Sequence, residues 1–331
     1  MTTKLKLSIA TGNYDRTRPL VDGEVPIDGV DPIFMLLSPE EMFFRSFRDR
    51  AFDVSELSLS SFAVKTAAGT NPYVGVPVFP SRAFRHTSIC IRTDRGIKRP
   101  EDLRGRRIGT PEYQLTACVW ARALLEEEYG VAPSDVTWVR GGLEETGRSE
   151  KIAVQLPPEI RIEPAPADRT LAQMLKDGDI DAIVAPRAPS CFEQWDPNIG
   201  WLWPDPQAAA SQYFEKTRIF PIMHLIGIRK ELVDEHPWLP IAVYKAFSKA
   251  KTRALELLVD TSATKVTLPF VDELLRATRR LMGEDFWPYG VEPNRHVLDR
   301  FLGYHYDQGL SPRRLTVEEL FHPSTLATFK I

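Results

Sequence analysis

Two arginines, a histidine and a serine crowd into one short stretch, Arg82-Ala83-Phe84-Arg85-His86-Thr87-Ser88. A guanidinium group matches a carboxylate with two parallel hydrogen bonds, so Arg82 and Arg85 are candidate anion clamps, with Ser88 beside them. The bland alternative is a surface turn with solvated arginines. His86 and His224 stand out among six histidines, because each lies in a strand-like context. An imidazole exchanges its proton near neutral pH and so suits general acid or base work. The competing reading is a pair of buried histidines satisfied by backbone. Glu56, Ser58 and Ser60 alternate along an apolar stretch and are expected to share one face. Glu56 reads either as a base or as the partner of an arginine, since buried charges are usually paired. The two serines could hydrogen-bond ligand oxygens. Thr110, Tyr113 and Thr116 lead into a long helical pattern whose first N–H groups can receive an anion. An ordinary helix cap would explain them equally. Arg187 follows another strand signal, and Asn13, Tyr14 and Arg16 follow the first.

These residues need elements to hold them. The pattern predicts strands over 4–11, 30–37, 52–59, 74–79, 88–92, 107–110, 137–140, 180–185 and 222–228. Helices fall between them: one opened by Ser38-Pro39-Glu40-Glu41, then 61–68, 115–129 closed by Gly130, and 170–177 closed by Gly178. Residues 142–168 are rich in Gly, Pro and charge and read as an elaborated loop or hairpin. Helical patterns dominate after 229. Strands alternating with helices imply an α/β protein with mixed, mostly parallel sheets covered by helices. The 331 residues exceed what one core usually organises, so two lobes are expected. The predicted division is 1–95 with 225–331, and an inserted 96–224. Ligands of open parallel sheets sit at the strand carboxyl ends, which predicts a ligand cleft between the lobes.

Composition narrows the function classes. Lys plus Arg is 42 and Asp plus Glu is 45, a net charge of −3, which is no footprint for nucleic acid or an anionic membrane. No apolar run approaches the roughly 20 residues of a membrane span. The first residues carry no secretory h-region, and Cys90, Cys118 and Cys191 form no metal or redox motif. Together these favour a cytoplasmic protein with reduced cysteines. There is no phosphate loop, dinucleotide fingerprint or HExxH. Glu56, His86 and His224 could ligate a divalent metal in principle, but their spacing does not indicate it, so no cofactor is expected. The helical C-terminal segment offers surface for a homo-oligomer.

Several stretches resemble one family, the 4,5-dihydroxyphthalate decarboxylases, relatives of type 2 periplasmic solute-binding proteins. They are 52–60 (FDVSELSLS), 79–92 (FPSRAFRHTSICIR), 101–111 (EDLRGRRIGTP), 141–152 (GGLEETGRSEKI), 178–186 (GDIDAIVAP), 220–229 (FPIMHLIGIR) and 309–321 (GLSPRRLTVEELF). EDLRG-x-RIG and D-x-DA are specific only to the fold. FPSRAFRH, GGLEETGRSEKI and the tail are more specific to the decarboxylase-like group. The resemblance implies a two-lobed type 2 periplasmic-binding-protein-like fold and a carboxy-lyase for a small hydroxylated aromatic dicarboxylate. In such an acid each hydroxyl lies para to one carboxylate. Deprotonating it pushes electron density to the carboxylate-bearing carbon, protonation there gives a dienone, and loss of carbon dioxide restores the aromatic ring. One of His86 and His224 would supply that proton, the other would help ionise the phenol, for which Glu56 is an alternative base, and Arg82 and Arg85 would hold the dianion. The rival readings are a solute-binding protein or sensor for an aromatic acid, and an enzyme of the same group acting on a pyrimidine precursor.

Overall fold

The computed structural model describes residues 4–148 and 150–327. In chain order the strands are β1 (Leu5–Thr11), β2 (Val30–Leu36), β3 (Val54–Ser58), β4 (Tyr73–Val76), β5 (Ile89–Arg92) and β6 (Arg107–Thr110). They continue as β7 (Thr137–Arg140), β8 (Arg161–Pro164), β9 (Ala182–Val184), β10 (Ile199–Trp201) and β11 (His224–Arg229). They form two sheets, ordered β2-β1-β3-β11-β4 and β10-β5-β9-β6-β7-β8. Each sheet has one reversed strand. β11 runs antiparallel to β3 and β4, and β5 runs antiparallel to β9 and β10. The other pairs are parallel.

The chain divides into two compact units. The first takes the residues through Arg82, then Ile222–Asp299, and those from Thr316 onward. The second takes Ala83–Pro221 and Arg300–Leu315. This differs from the predicted division at 95/96 and 224/225. Residues 88–92 read as an apolar strand, but an apolar run does not name its partner, and β5 pairs within the second sheet. Residues 300–315 also join the second unit. Phe301 packs on Trp120 at 5.3 Å between ring centroids, and Gln308 accepts a 2.8 Å hydrogen bond from the buried Arg122 Nε. Within 142–168, expected as an elaborated loop or hairpin, the described residues form a loop that leads into β8, a parallel edge strand on β7. β10 and the helix Pro206–Thr217 also lay outside the sequence expectation.

In the first unit β3 lies between β1 and β11 and is buried at every residue. It passes directly into the helix Leu59–Ala67. Ser58 ends the strand and caps the helix, its hydroxyl accepting from the Ser61 N–H at 3.4 Å. Ser60 therefore sits in the first turn of that helix, not on the strand face with Glu56, because the polypeptide changes period at Ser58. The helix Pro39–Asp49 starts as predicted, with Ser38 accepting from Glu41 and Pro39 in the first position. In the second unit the helix Leu171–Asp177 has a reciprocal Thr170–Gln173 capping box and closes at Gly178, whose φ of 83° suits glycine. The longer helix Thr116–Tyr129 follows β6 and opens at Leu115, which gives no side-chain cap.

Candidate active site

The first unit assembles a charged cluster at the carboxyl end of β1 and β3. In the antiparallel β3–β11 register His224 faces Ser58 and Ile226 faces Glu56. Directly paired residues share a face, so Glu56 and His224 are diagonal neighbours on it. Their side chains meet at 2.6 Å, His224 Nδ1 to Glu56 Oε1. Glu56 Oε1 also accepts from the Tyr14 hydroxyl at 2.9 Å. Oε2 accepts from the Gly12 N–H at 2.9 Å and the Thr11 hydroxyl at 3.3 Å. Gly12 permits this fold-back, because a Cβ there would fall 2.3 Å from the Tyr14 ring. His224 packs edge-on against Phe43 at 4.8 Å. Its Nε2 has no hydrogen-bond partner among the described residues.

Glu56 is fully buried, and burial opposes its ionisation. The hydrogen bond and charge of His224, with the Gly12 N–H and Tyr14 hydroxyl, outweigh that and hold its carboxyl below the ordinary 4.5. Glu56 is therefore an anion and accepts the Nδ1 proton of His224, which orients the ring. Burial and the Glu56 charge push Tyr14 far above its ordinary 10, so it keeps its proton. The sequence left Glu56 as a base or an arginine's partner. Its partner is a histidine, and a β-strand register that no single strand reveals makes it so.

Arg82 is buried and donates to the Pro288 carbonyl at 2.7 Å and to Asn294 Oδ1. Burial lowers its pKa to about 9. Arg16 lies over the rings of Tyr14 and Trp287, at 4.2 and 4.4 Å, and donates to the Pro80 carbonyl. Asn13 is exposed, and its Oδ1 accepts from Arg18 at 3.5 Å.

The second unit carries the other predicted residues. Arg85 is buried, its Nε on the Ala83 carbonyl at 3.3 Å and its Nη1 on the Ser88 hydroxyl at 3.3 Å. Burial lowers its pKa to about 10, and among the described residues no carboxylate pairs with it. A buried cation without a counter-ion is a candidate carboxylate holder. His86 is packed edge-on against Trp203 at 4.8 Å and Tyr213 at 5.7 Å. Neither ring nitrogen has a hydrogen-bond partner, and burial pulls its pKa from 6.5 to about 4. It is a neutral ring at physiological pH.

Thr110 ends β6 with its hydroxyl 3.5 Å from Cys118 Sγ. Tyr113 lies with its ring 3.6 Å from the Arg122 guanidinium, and its N–H donates to Glu150 at 2.7 Å. Thr116 is the first residue of its helix and is buried. Arg187 is exposed. Sequence reasoning missed Glu112. This carboxylate is fully buried, bound by Arg148 at 2.6 and 3.0 Å, by the Lys151 N–H at 2.8 Å and by Gln114 at 3.2 Å. The GGLEETGRSEKI stretch is thus a loop folded onto Glu112; its Ser149 lies outside the described residues. The signal was there as a lone acid between a strand and a helix, but its charged partners, Arg148 and Lys151, lie more than thirty residues away in the chain.

Comparison with known proteins sets these sites in a family. Residues 83–150 match the family model described as NMT1/THI5 like. A 4,5-dihydroxyphthalate decarboxylase of Comamonas testosteroni is 60% identical over 329 residues, covering 99% of this chain and 100% of that one. A protein of the same name from Pseudomonas putida is 65% identical over 211 residues, 64% of this chain and 82% of that one. Among solved structures, the periplasmic aliphatic sulphonate binding protein SsuA of Escherichia coli aligns with a TM-score of 0.54 at 14% identity, covering 100% of this chain and 96% of its own. The desulfurization enzyme DSZB aligns with a TM-score of 0.54 at 15% identity, covering 98% of each chain. One fold thus serves a binding protein and an enzyme, and it is the sequence identity that assigns this chain: it belongs to the 4,5-dihydroxyphthalate decarboxylase family.

Proposed function

We propose that the chain removes one carboxylate from 4,5-dihydroxyphthalate to give protocatechuate. The observation that carries this reading is the 60% identity over nearly the whole of both chains. The chemistry needs a proton at the ring carbon that loses its carboxylate, and His224 is the group for it. Glu56 holds Nδ1 at 2.6 Å, so Nε2 faces the ligand. A proton carried on His224 Nε2 passes to that carbon, and the ring becomes a dienone. The bond to the carboxylate then breaks, its electron pair returns to the ring, and carbon dioxide leaves. The balance is one carboxylate and one proton in, one aromatic C–H and one carbon dioxide out. His86, with a pKa near 4, carries no proton to give at neutral pH.

The reaction as proposed uses no metal or cofactor. Each Glu56 oxygen already accepts two hydrogen bonds, which leaves no lone pair for an ion. Among the described residues no helix is long and apolar enough to cross a membrane. We place the protein in the cytoplasm, where its free cysteines stay reduced; fractionation of cells making the natural protein tests this. For the function itself, purified chain should release carbon dioxide and protocatechuate in equal amounts from 4,5-dihydroxyphthalate. A folded protein that binds the acid and returns it unchanged would make it a solute-binding protein instead.

A further inference from the structure

We infer that the Tyr289 hydroxyl is the hydrogen-bond partner of a phenolic oxygen of the substrate, and that it makes the site selective for hydroxylated phthalates. The inference rests on the decarboxylase reading and concerns a residue to which that reading gives no role.

The segment 285–294 is tied down along its length. Lys251 Nζ donates to Asp285 at 2.8 Å and to the Trp287 carbonyl at 3.1 Å. Trp287 Nε1 donates to the Phe79 carbonyl at 2.9 Å, and the Gly290 N–H to the Pro77 carbonyl at 2.8 Å. Asn294 Nδ2 closes the turn on the Pro288 and Gly290 carbonyls at 3.0 and 2.7 Å. Tyr289 sits within this strap at 6% exposure, its ring 5.2 Å from the Lys251 ammonium. Its hydroxyl is buried and has no hydrogen-bond partner. An orphaned buried hydroxyl costs free energy, and in a well-tied segment it marks a place kept for a ligand.

The surroundings say which ligand oxygen. Arg16 lies over both the Tyr14 ring, whose hydroxyl bonds Glu56, and the ring of Trp287, and Arg82 bonds the carbonyl of Pro288, so the segment that carries Tyr289 adjoins the Glu56–His224 pair. Arg16 has Nε on the Pro80 carbonyl and Nη1 on Asp15, and Arg82 has Nη2 on the Pro288 carbonyl and Asn294. Both guanidinium groups are held in place by protein oxygens and supply positive potential here. What Tyr289 itself offers is one unpartnered hydroxyl. It matches one oxygen, and the potential favours that oxygen as a phenolate. The reaction also needs such a second station. The hydroxyl and the carbon para to it stand at opposite ends of the ring, so an imidazole that protonates the carbon cannot also hold the oxygen.

Tyr289→Phe removes only the oxygen. In the full-length protein it should lower kcat/KM for 4,5-dihydroxyphthalate about ten- to a hundredfold, the range for a charge-assisted hydrogen bond. It should leave the inhibition constant of unsubstituted phthalate, which has no hydroxyl, within about twofold. Equal losses for both acids in a variant with native circular dichroism would overturn the inference and assign the hydroxyl to a carboxylate; no change in either would overturn it outright. A measurement without a variant guards against misfolding. Protocatechuate bound to the unaltered protein should show its absorption band shifted toward that of the catecholate, and an unshifted band counts against the inference. Absence of carbon dioxide release by the unaltered protein would defeat the decarboxylase reading, while the absorption measurement still reports on the subsite.

Discussion

Glu56 has four hydrogen-bond partners and none to spare, so it acts on a substrate only through His224. Glu56→Gln keeps the shape but replaces one acceptor by a donor, and the amide can no longer fix the ring tautomer from an anion. Turnover should fall about a hundredfold or more, with KM within about threefold, when carbon dioxide release is followed. A change in KM alone would make Glu56 a binding residue. His86 makes a different prediction. Its pKa near 4 in the folded protein lies below the ordinary 6.5, so the unfolded chain takes up the proton first. The stability it contributes is whole above 6.5 and is lost as pH falls toward 4. His86→Phe preserves an aromatic ring beside Trp203 and Tyr213. Between pH 7 and pH 5 the unaltered protein should lose about 2 kcal/mol more than the variant, read from urea midpoints. Glu56 also has a lowered pKa, and its contribution is lost below the ordinary carboxylate range in both proteins alike. The sequence named Glu56, His86 and His224 by residue type. It could not say that two of them share a hydrogen bond while the third is sheathed in aromatic rings, because cross-strand register and ring packing are contacts between distant segments.

At the scale of elements, the tail and one loop are fixed by close approach. β4 forms a bridge between Gly75 and Phe321, and the His322 N–H donates to the Gly75 carbonyl at 2.9 Å. A Cβ on Gly75 would lie 2.3 Å from the Leu320 carbonyl oxygen, a backbone atom that cannot rotate away. Gly75→Ala should destabilise the protein by about 2–3 kcal/mol in chemical denaturation, the range for overpacking. In the second unit, Glu112→Ala would leave Arg148 without its 2.6 Å carboxylate contact, beside the nearly buried Lys151. The expected cost is about 3 kcal/mol by the same measurement, and Glu112→Gln should cost less because it retains an acceptor. Helix caps were readable from local residues: Ser38, Thr170, Gly130 and Gly178 all stand where the helices Pro39–Asp49, Leu171–Asp177 and Thr116–Tyr129 begin or end. Ser60, expected to share a face with Glu56, departs from it because the alternating pattern continues through Ser58 into the first helical turn.

For the whole molecule, the filled acceptor positions of Glu56 lead to a plain expectation. Turnover of 4,5-dihydroxyphthalate should survive dialysis against a chelator within about twofold, whereas a metal held at this site would leave with its activity. By itself the sequence determined the α/β class, the family, and the residue types of the site, since periodicity, caps and family stretches are local properties of the chain. Tertiary structure alone decided where β5 and residues 300–315 belong, which histidine meets Glu56, and that Tyr289, in the segment held against Arg16 and Arg82, keeps an unpaired hydroxyl. Each of these depends on pairing and burial between segments far apart in the chain, and no local pattern encodes the partner.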